Sequence, residues 1–240
     1  MGLLDYPAPV FSWLDAEFGA VLPPTARLVL WGVLGGILSM ALYRWLSPQR
    51  RIAEGRRELA DARRRLDHYD GDFSGAWPIM ANLLRTAGVQ VARTGWPAVI
   101  ASIPLLCLLL WLSTAYGYRY PESDSVPALR VTPAPGYANW VASTGQGPPG
   151  IEVADARGGV VTVPLAAPVP VLHHRHWWNA LAGNPAGYLP GDSTTREVAI
   201  ALPPRRYLPA GPAWLRGWEL PFFLSLVMTS LVVKRVAHIE

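Results

Sequence analysis

The stretch LVLWGVLGGILSMALYRWLS (residues 28–47) runs directly into PQRRIAEGRRELADARRRLDHYD (residues 48–70). The first segment carries a single charge, Arg44, near its end. Read as a helix over 28–46, it covers roughly 28 Å, close to a hydrocarbon core of about 30 Å. The second segment carries Arg50, Arg51, Arg56, Arg57, Arg63, Arg64 and Arg65 among Glu54, Glu58, Asp61 and Asp67. No helix of that composition enters a bilayer. The junction therefore predicts an α-helical membrane protein whose first span feeds a charged surface helix.

The rest of the composition agrees. The chain has 240 residues, 51% hydrophobic and only 16% charged, with the apolar residues gathered in three separate blocks. That distribution suits spans better than one large soluble core. The single cysteine, Cys107, excludes a disulfide framework within the chain and a cysteine metal site. Arg greatly outnumbers Lys, which occurs only at Lys234, a bias that fits a GC-rich bacterial genome. The start of the chain has Asp5, Asp15 and Glu17 against Arg27 alone, so it lacks the positive head of a cleaved signal and reads as an uncleaved anchor.

Residues 1–27 form an external arm in which Phe11, Trp13, Leu14 and Phe18 suggest a short amphipathic helix on the membrane surface. Residues 28–47 form the first span. Its small residues Gly32/Gly36 and Gly35/Ser39 have the spacing that lets another helix approach closely, and Trp31 and Trp45 sit near its two ends, where indoles favour the interface. Residues 48–95 form a cytoplasmic helical hairpin. In its first arm Ile52, Leu59 and Leu66 repeat every seven residues with Gly55, Ala62 and Tyr69 three further on, a short heptad seam. Asp70, Gly71 and Asp72 break the helix. In the second arm Met80, Leu83, Leu84, Ala87 and Val91 make an apolar stripe. Residues 96–116 form the second span, with Pro104 inside it. Residues 117–216 change character: Pro and Gly are frequent, and the runs ALRVT (128–132), GIEVAD (150–155), GVVTVPL (159–165) and REVAIAL (196–202) read as strands of a small external β-rich domain. Gly158-Gly159 suits a hairpin turn. Residues 217–236 form the third span, opened by Arg216 and Glu219 and closed by Lys234 and Arg235, and 237–240 form a cytoplasmic tail.

Charge sets the orientation. Residues 44–93 hold ten Arg against six acids, whereas the arm before them holds three acids and one Arg. The positive-inside rule then places the N-terminus outside, the arginine hairpin inside, the β domain outside and the C-terminus inside. The expected location is the bacterial inner membrane.

Candidate chemistry is sparse. Arg44, Arg85 and Arg93 are the charges placed to line a groove or to meet anionic lipid headgroups, and Arg44 also has the position of a side chain snorkelling to the headgroups. His173, His174 and His176 stand beside Trp177 and Trp178 and read as a partner-facing loop; a metal site would need further ligands. No phosphate loop, nucleophile elbow or zinc-helix signature occurs, so neither an enzyme nor a cofactor is expected. The expected partners are the lipid bilayer with its anionic headgroups and a membrane-protein client or partner subunit. The acids interrupting the arginine run argue against nucleic acid, and no DNA is expected.

The order of these parts carries a resemblance. SMALYRWLSPQRRIAEGRRELADARRRL (residues 39–66) and PIMANLLRTAGVQVARTGWPAVIASIPLLCLLLWL (residues 78–112) resemble the first span, coiled coil and second span of the YidC/Oxa superfamily. The likeness is to its three-span branch, the archaeal YidC-like proteins and the third subunit of the endoplasmic-reticulum membrane protein complex. It covers residues 28–116 and 217–236. It implies an insertase-like or chaperone-like protein with a hydrophilic groove that eases polar segments across the bilayer. It supplies no residue-level site, because its motifs are topology and composition. The external β domain departs from that pattern, since the three-span members have a short connection there. The alternative reading is a structural accessory or scaffold subunit of an envelope complex, using the β domain and the glycine face of the first span.

Overall fold

Helix α2 spans Pro24–Leu46, starting with a proline whose missing N–H costs nothing in a first turn and ending with Arg44 near its negative pole. It begins earlier than the apolar run, so that Arg27 lies inside the helix. In this computed structural model the described residues are 2–47, 49–68, 73–122, 125–134, 136–143, 147–155 and 158–237. The expected break at Asp70, Gly71 and Asp72, and the seam position Tyr69, lie outside them.

The other helices are α1 (Ala8–Gly19), α3 (Gln49–Asp67), α4 (Phe73–Gly117) and α5 (Glu219–Val236). One difference from the sequence reading concerns α4. The amphipathic arm and the second span are a single 45-residue helix that continues through Pro78, Pro97 and Pro104, with no break at 95/96. Among the described residues, two helical stretches are long and apolar enough to cross a membrane, Pro24–Leu46 and Met80–Gly117. Helix α5 is shorter, and carries Glu219 in its first turn and Lys234 and Arg235 in its last. These charges complement the helix dipole.

The chain divides into two units. One comprises Val29–Leu105 and Phe222–Glu240. Here α2 packs on α5 through its glycines. A Cβ on Gly32 would stand 2.5 Å from Phe222 O and would collide with Ser225 Oγ; one on Gly36 would stand 3.0 Å from Leu226 O. The small-residue spacing is thus used inside the chain. Trp31 is buried within this unit, at 4% exposure, and Trp45 is 82% exposed, so of the two only Trp45 has its ring free for an interface. The lateral faces stay apolar: Leu34, Ile37 and Leu38 on α2, and Val227, Met228, Leu231 and Val232 on α5, are exposed.

The second unit comprises Met1–Leu28 and Leu106–Pro221. Among the described residues, six strands make two antiparallel sheets, ordered β1-β6-β5 and β2-β3-β4. The strands are β1 (Leu129–Thr132), β2 (Ala138–Val141), β3 (Gly150–Ala154), β4 (Val160–Pro164), β5 (Val171–His173) and β6 (Glu197–Ile200). All four expected strands form, while β2 and β5 are additional. Alternation decides which side chains face inward. Ile151 and Val153 of β3 and Val198 and Ile200 of β6 are buried around the more exposed Glu152 and Ala199, and with Trp140, Val163, Leu165 and Leu172 they form one core fed by both sheets. The β3–β4 hairpin turns at Gly158, whose φ of 80° favours glycine. The same turn is tied by Asp155 Oδ1, which accepts from Gly159 N at 2.6 Å.

Within this unit α1 is docked by specific contacts with α4. Phe11 meets the Trp111 ring at 5.7 Å, and Trp111 Nε1 donates to Ser12 Oγ at 2.8 Å. Asp15 receives Arg27 Nη1 at 2.6 Å and the hydroxyl of Tyr116. A short helix therefore forms where one was expected, with one face taken up by protein.

Candidate functional site: a polar cleft in the helical hairpin

Helices α3 and α4 approach through Gly55, which is buried. A side chain there would collide with the amide of Gln90. Beside this contact lies a cleft of about 220 Å³ lined by Gly55 and Glu58 of α3 and by Asn82, Arg85, Thr86, Val89, Gln90 and Arg93 of α4. On α4 the spacing 82, 86, 89, 93 follows one helix face, which gathers these side chains. Glu58, Arg85 and Arg93 are exposed, leaving one positive charge in excess.

The polarity of α4 is unusual here. Its polar face lines the cleft with α3, while Leu84 and Val91 of the apolar stripe are 65% and 71% exposed and Trp77 is 59% exposed. A hairpin in water buries its apolar stripe against its neighbour. Here Leu84 and Val91 face outward while Met80, Leu83 and Ala87 are half-buried, and exposed apolar side chains of this kind are ones that lipid or an apolar partner stabilises. The arginines of α3 add little locally: Arg64 and Asp61 are 3.8 Å apart with both side chains largely exposed.

Of the three candidate groove charges, Arg85 and Arg93 come together in the cleft. Arg44 does not line it and is exposed in the last turn of α2. Asn82, Thr86, Gln90 and Glu58 belong to the same surface and were missed from the sequence. Their signal was the polar spacing on α4 opposite the apolar stripe, overshadowed by the leucines.

The histidine loop forms a stacked patch in the other unit. His173 lies 5.4 Å from His176 and 5.1 Å from Trp178, and His176 stacks on Trp178 at 5.6 Å. His173 Nδ1 bonds His174 O at 2.6 Å, and since a carbonyl only accepts, Nδ1 carries the proton. Among the described residues no group of three His, Cys, Asp or Glu is placed to hold a metal ion. Trp177 projects at 84% exposure and Trp178 at 42%. Arg216 Nε donates to Gly211 O at 2.7 Å.

No family model, curated protein or solved structure matches this chain.

Proposed function

We propose that this chain is an insertase-like or chaperone-like inner-membrane protein, which receives polar segments of membrane-protein clients in the α3–α4 cleft. The carrying observation is a cleft lined by Arg85 and Arg93 on the helix that also exposes Leu84 and Val91. A polar segment in hydrocarbon costs several kcal/mol for each unsatisfied group, roughly. A polar cleft beside an apolar surface offers such a segment partners while its apolar flanks meet lipid. In this reading α5 is a third span, its apolar sides in lipid and Lys234 and Arg235 at the cytoplasmic headgroups. The N-terminus is outside and the hairpin and C-terminus are inside. The order of segments shared with the three-span YidC/Oxa branch supports the same reading. A photo-crosslinker at Asn82 should capture newly made membrane proteins, and Arg85→Glu with Arg93→Glu should reduce the yield. Capture that is equal at Asn82 and at Val160 of the β unit would refute client binding in the cleft.

The scaffold reading has one observation in its favour, the exposed His176, Trp177 and Trp178 surface, suited to a partner subunit. Against it, the glycine face offered for a partner helix is occupied by α5. A stoichiometric partner retained in mild detergent and released by Trp177→Ala would favour this reading.

A further inference from the structure

The unit that holds the sheets contains a separate cavity of about 790 Å³, lined among others by Asp15, Arg27, Arg119, Arg205, Arg206 and Tyr207. Four guanidiniums surround one carboxylate, and that carboxylate is already paired with Arg27 at 2.6 Å. Arg119, Arg205 and Arg206 are exposed, and no ion pair among the described residues engages them. The cavity thus carries a net positive charge of about three at neutral pH.

The backbone arranges these arginines. Arg119 N donates to Pro203 O at 3.1 Å, Arg205 N donates to Gly117 O at 3.0 Å, and Tyr118 is bridged to Pro204 in antiparallel fashion. The two-residue period puts Arg119 and Arg205 on the same side of this short ladder. Opposite Arg205 stands Gly117, where an added Cβ would meet nothing within 4 Å, so the space between them is open. The carbonyls at the end of α4 are already engaged. Tyr116 O accepts from the Tyr207 hydroxyl at 2.9 Å and Tyr118 O from Arg205 Nε at 3.0 Å. The Tyr207 hydroxyl thus occupies one acceptor, and Arg205 spends one nitrogen on the other. Arg205 also meets the Tyr207 side chain, whereas the guanidiniums of Arg119 and Arg206 remain as forked donors, the geometry that matches phosphate oxygens.

Depth supplies the ligand's source. Helix α2 starts at Pro24 and α4 ends at Gly117, and the cavity is lined by Pro24 and Tyr116. It therefore sits where two membrane-length helices end, which is the level of lipid phosphates when those helices cross a bilayer. We propose that this cavity binds the phosphate of an anionic phospholipid headgroup through Arg119, Arg205 and Arg206. The lipid source rests on α2 and α4 crossing the bilayer; the phosphate chemistry does not, and neither depends on client binding.

The test uses the full chain in mild detergent. Native mass spectrometry compares phosphatidylglycerol with phosphatidylcholine, and calorimetry measures glycerol 3-phosphate. Three arginines near a headgroup correspond to about a hundredfold preference for the anionic lipid. The variant R119Q/R205Q/R206Q should abolish that preference, while R130Q/R175Q/R196Q, with the same charge change on exposed arginines elsewhere, should keep it. R119Q/R206Q, which retains the bond from Arg205 to Tyr118, should lose most of it and guards against a folding effect. Binding of glycerol 3-phosphate with the same mutational pattern, without a lipid preference, would retain the phosphate site and overturn the lipid source. Equal behaviour of the two triple variants, or no binding of either ligand, would overturn the site itself.

Discussion

Asp15 and Arg27 form an ion pair, Oδ2 to Nη1 2.6 Å, with the two side chains only 14% and 19% exposed. The same carboxylate accepts the Tyr116 hydroxyl, and the Arg27 guanidinium lies over the Tyr116 ring at 5.7 Å from its centroid. Three segments distant in sequence, α1, the start of α2 and the end of α4, are thereby tied at one point. Removing one partner strands the other in a poorly solvated place. Asp15→Asn should cost roughly 3 kcal/mol, seen as a lower melting temperature in detergent. The double variant Asp15→Asn/Arg27→Met should be less damaging than the sum of the two single changes. Additive losses would show that the two groups do not act as a pair.

The α2–α5 contact makes a paired prediction about glycines. Gly32→Leu must push aside the Phe222 carbonyl, which is backbone and cannot yield like a side-chain tip. It should destabilise by roughly 2 kcal/mol or more. Gly88→Ala on α4 meets nothing within 4 Å and should stabilise by up to about 1 kcal/mol through helix propensity. Detergent melting of both variants checks the pair; a neutral Gly32→Leu would contradict the packing.

Alkaline pH should weaken the β unit in a defined direction. Tyr120 donates its hydroxyl to Leu165 O at 2.7 Å, and burial raises its pKa above the ordinary 10.0. Tyr207 is raised too, with burial again the largest cause. The unfolded chain releases these protons first. Their contribution is therefore full below about pH 10 and is lost as the pH rises through the folded values. Melting followed from about pH 9 to about pH 11 should show the fall. Tyr120→Phe should lose about 1 kcal/mol at neutral pH and then decline less steeply. An identical slope in the variant would remove Tyr120 from this explanation.

The sequence made some of this legible, for physical reasons. Residues 28–47 announce α2 because nearly every position is apolar over a membrane's thickness, and the two-residue alternation of GIEVAD and REVAIAL announces β3 and β6. The strand β5 (VLH) escaped because it is only three residues long and pairs with β6 farther along the chain, and β2 (ANWV) because Pro and Gly stand close before it and its alternation is weak. At the cleft, Arg85 and Arg93 stood out as charges near a span, but Gly55 was legible only as a heptad position. That it admits Gln90 depends on the register of α3 against α4, which no local pattern encodes. The Asp15, Arg27, Tyr116 cluster was invisible for the same reason: it unites residues about a hundred positions apart.

The most direct test of client handling is insertion into proteoliposomes containing only the purified chain. The client should be a single-span protein with a short polar tail that must cross. Its insertion should rise above that of empty liposomes, and Arg85→Gln/Arg93→Gln should reduce the gain by about tenfold, the effect of losing roughly 1.4 kcal/mol of charge-assisted contacts. Insertion no greater than in empty liposomes, or a gain unchanged in the double variant, would contradict the proposed role of the cleft.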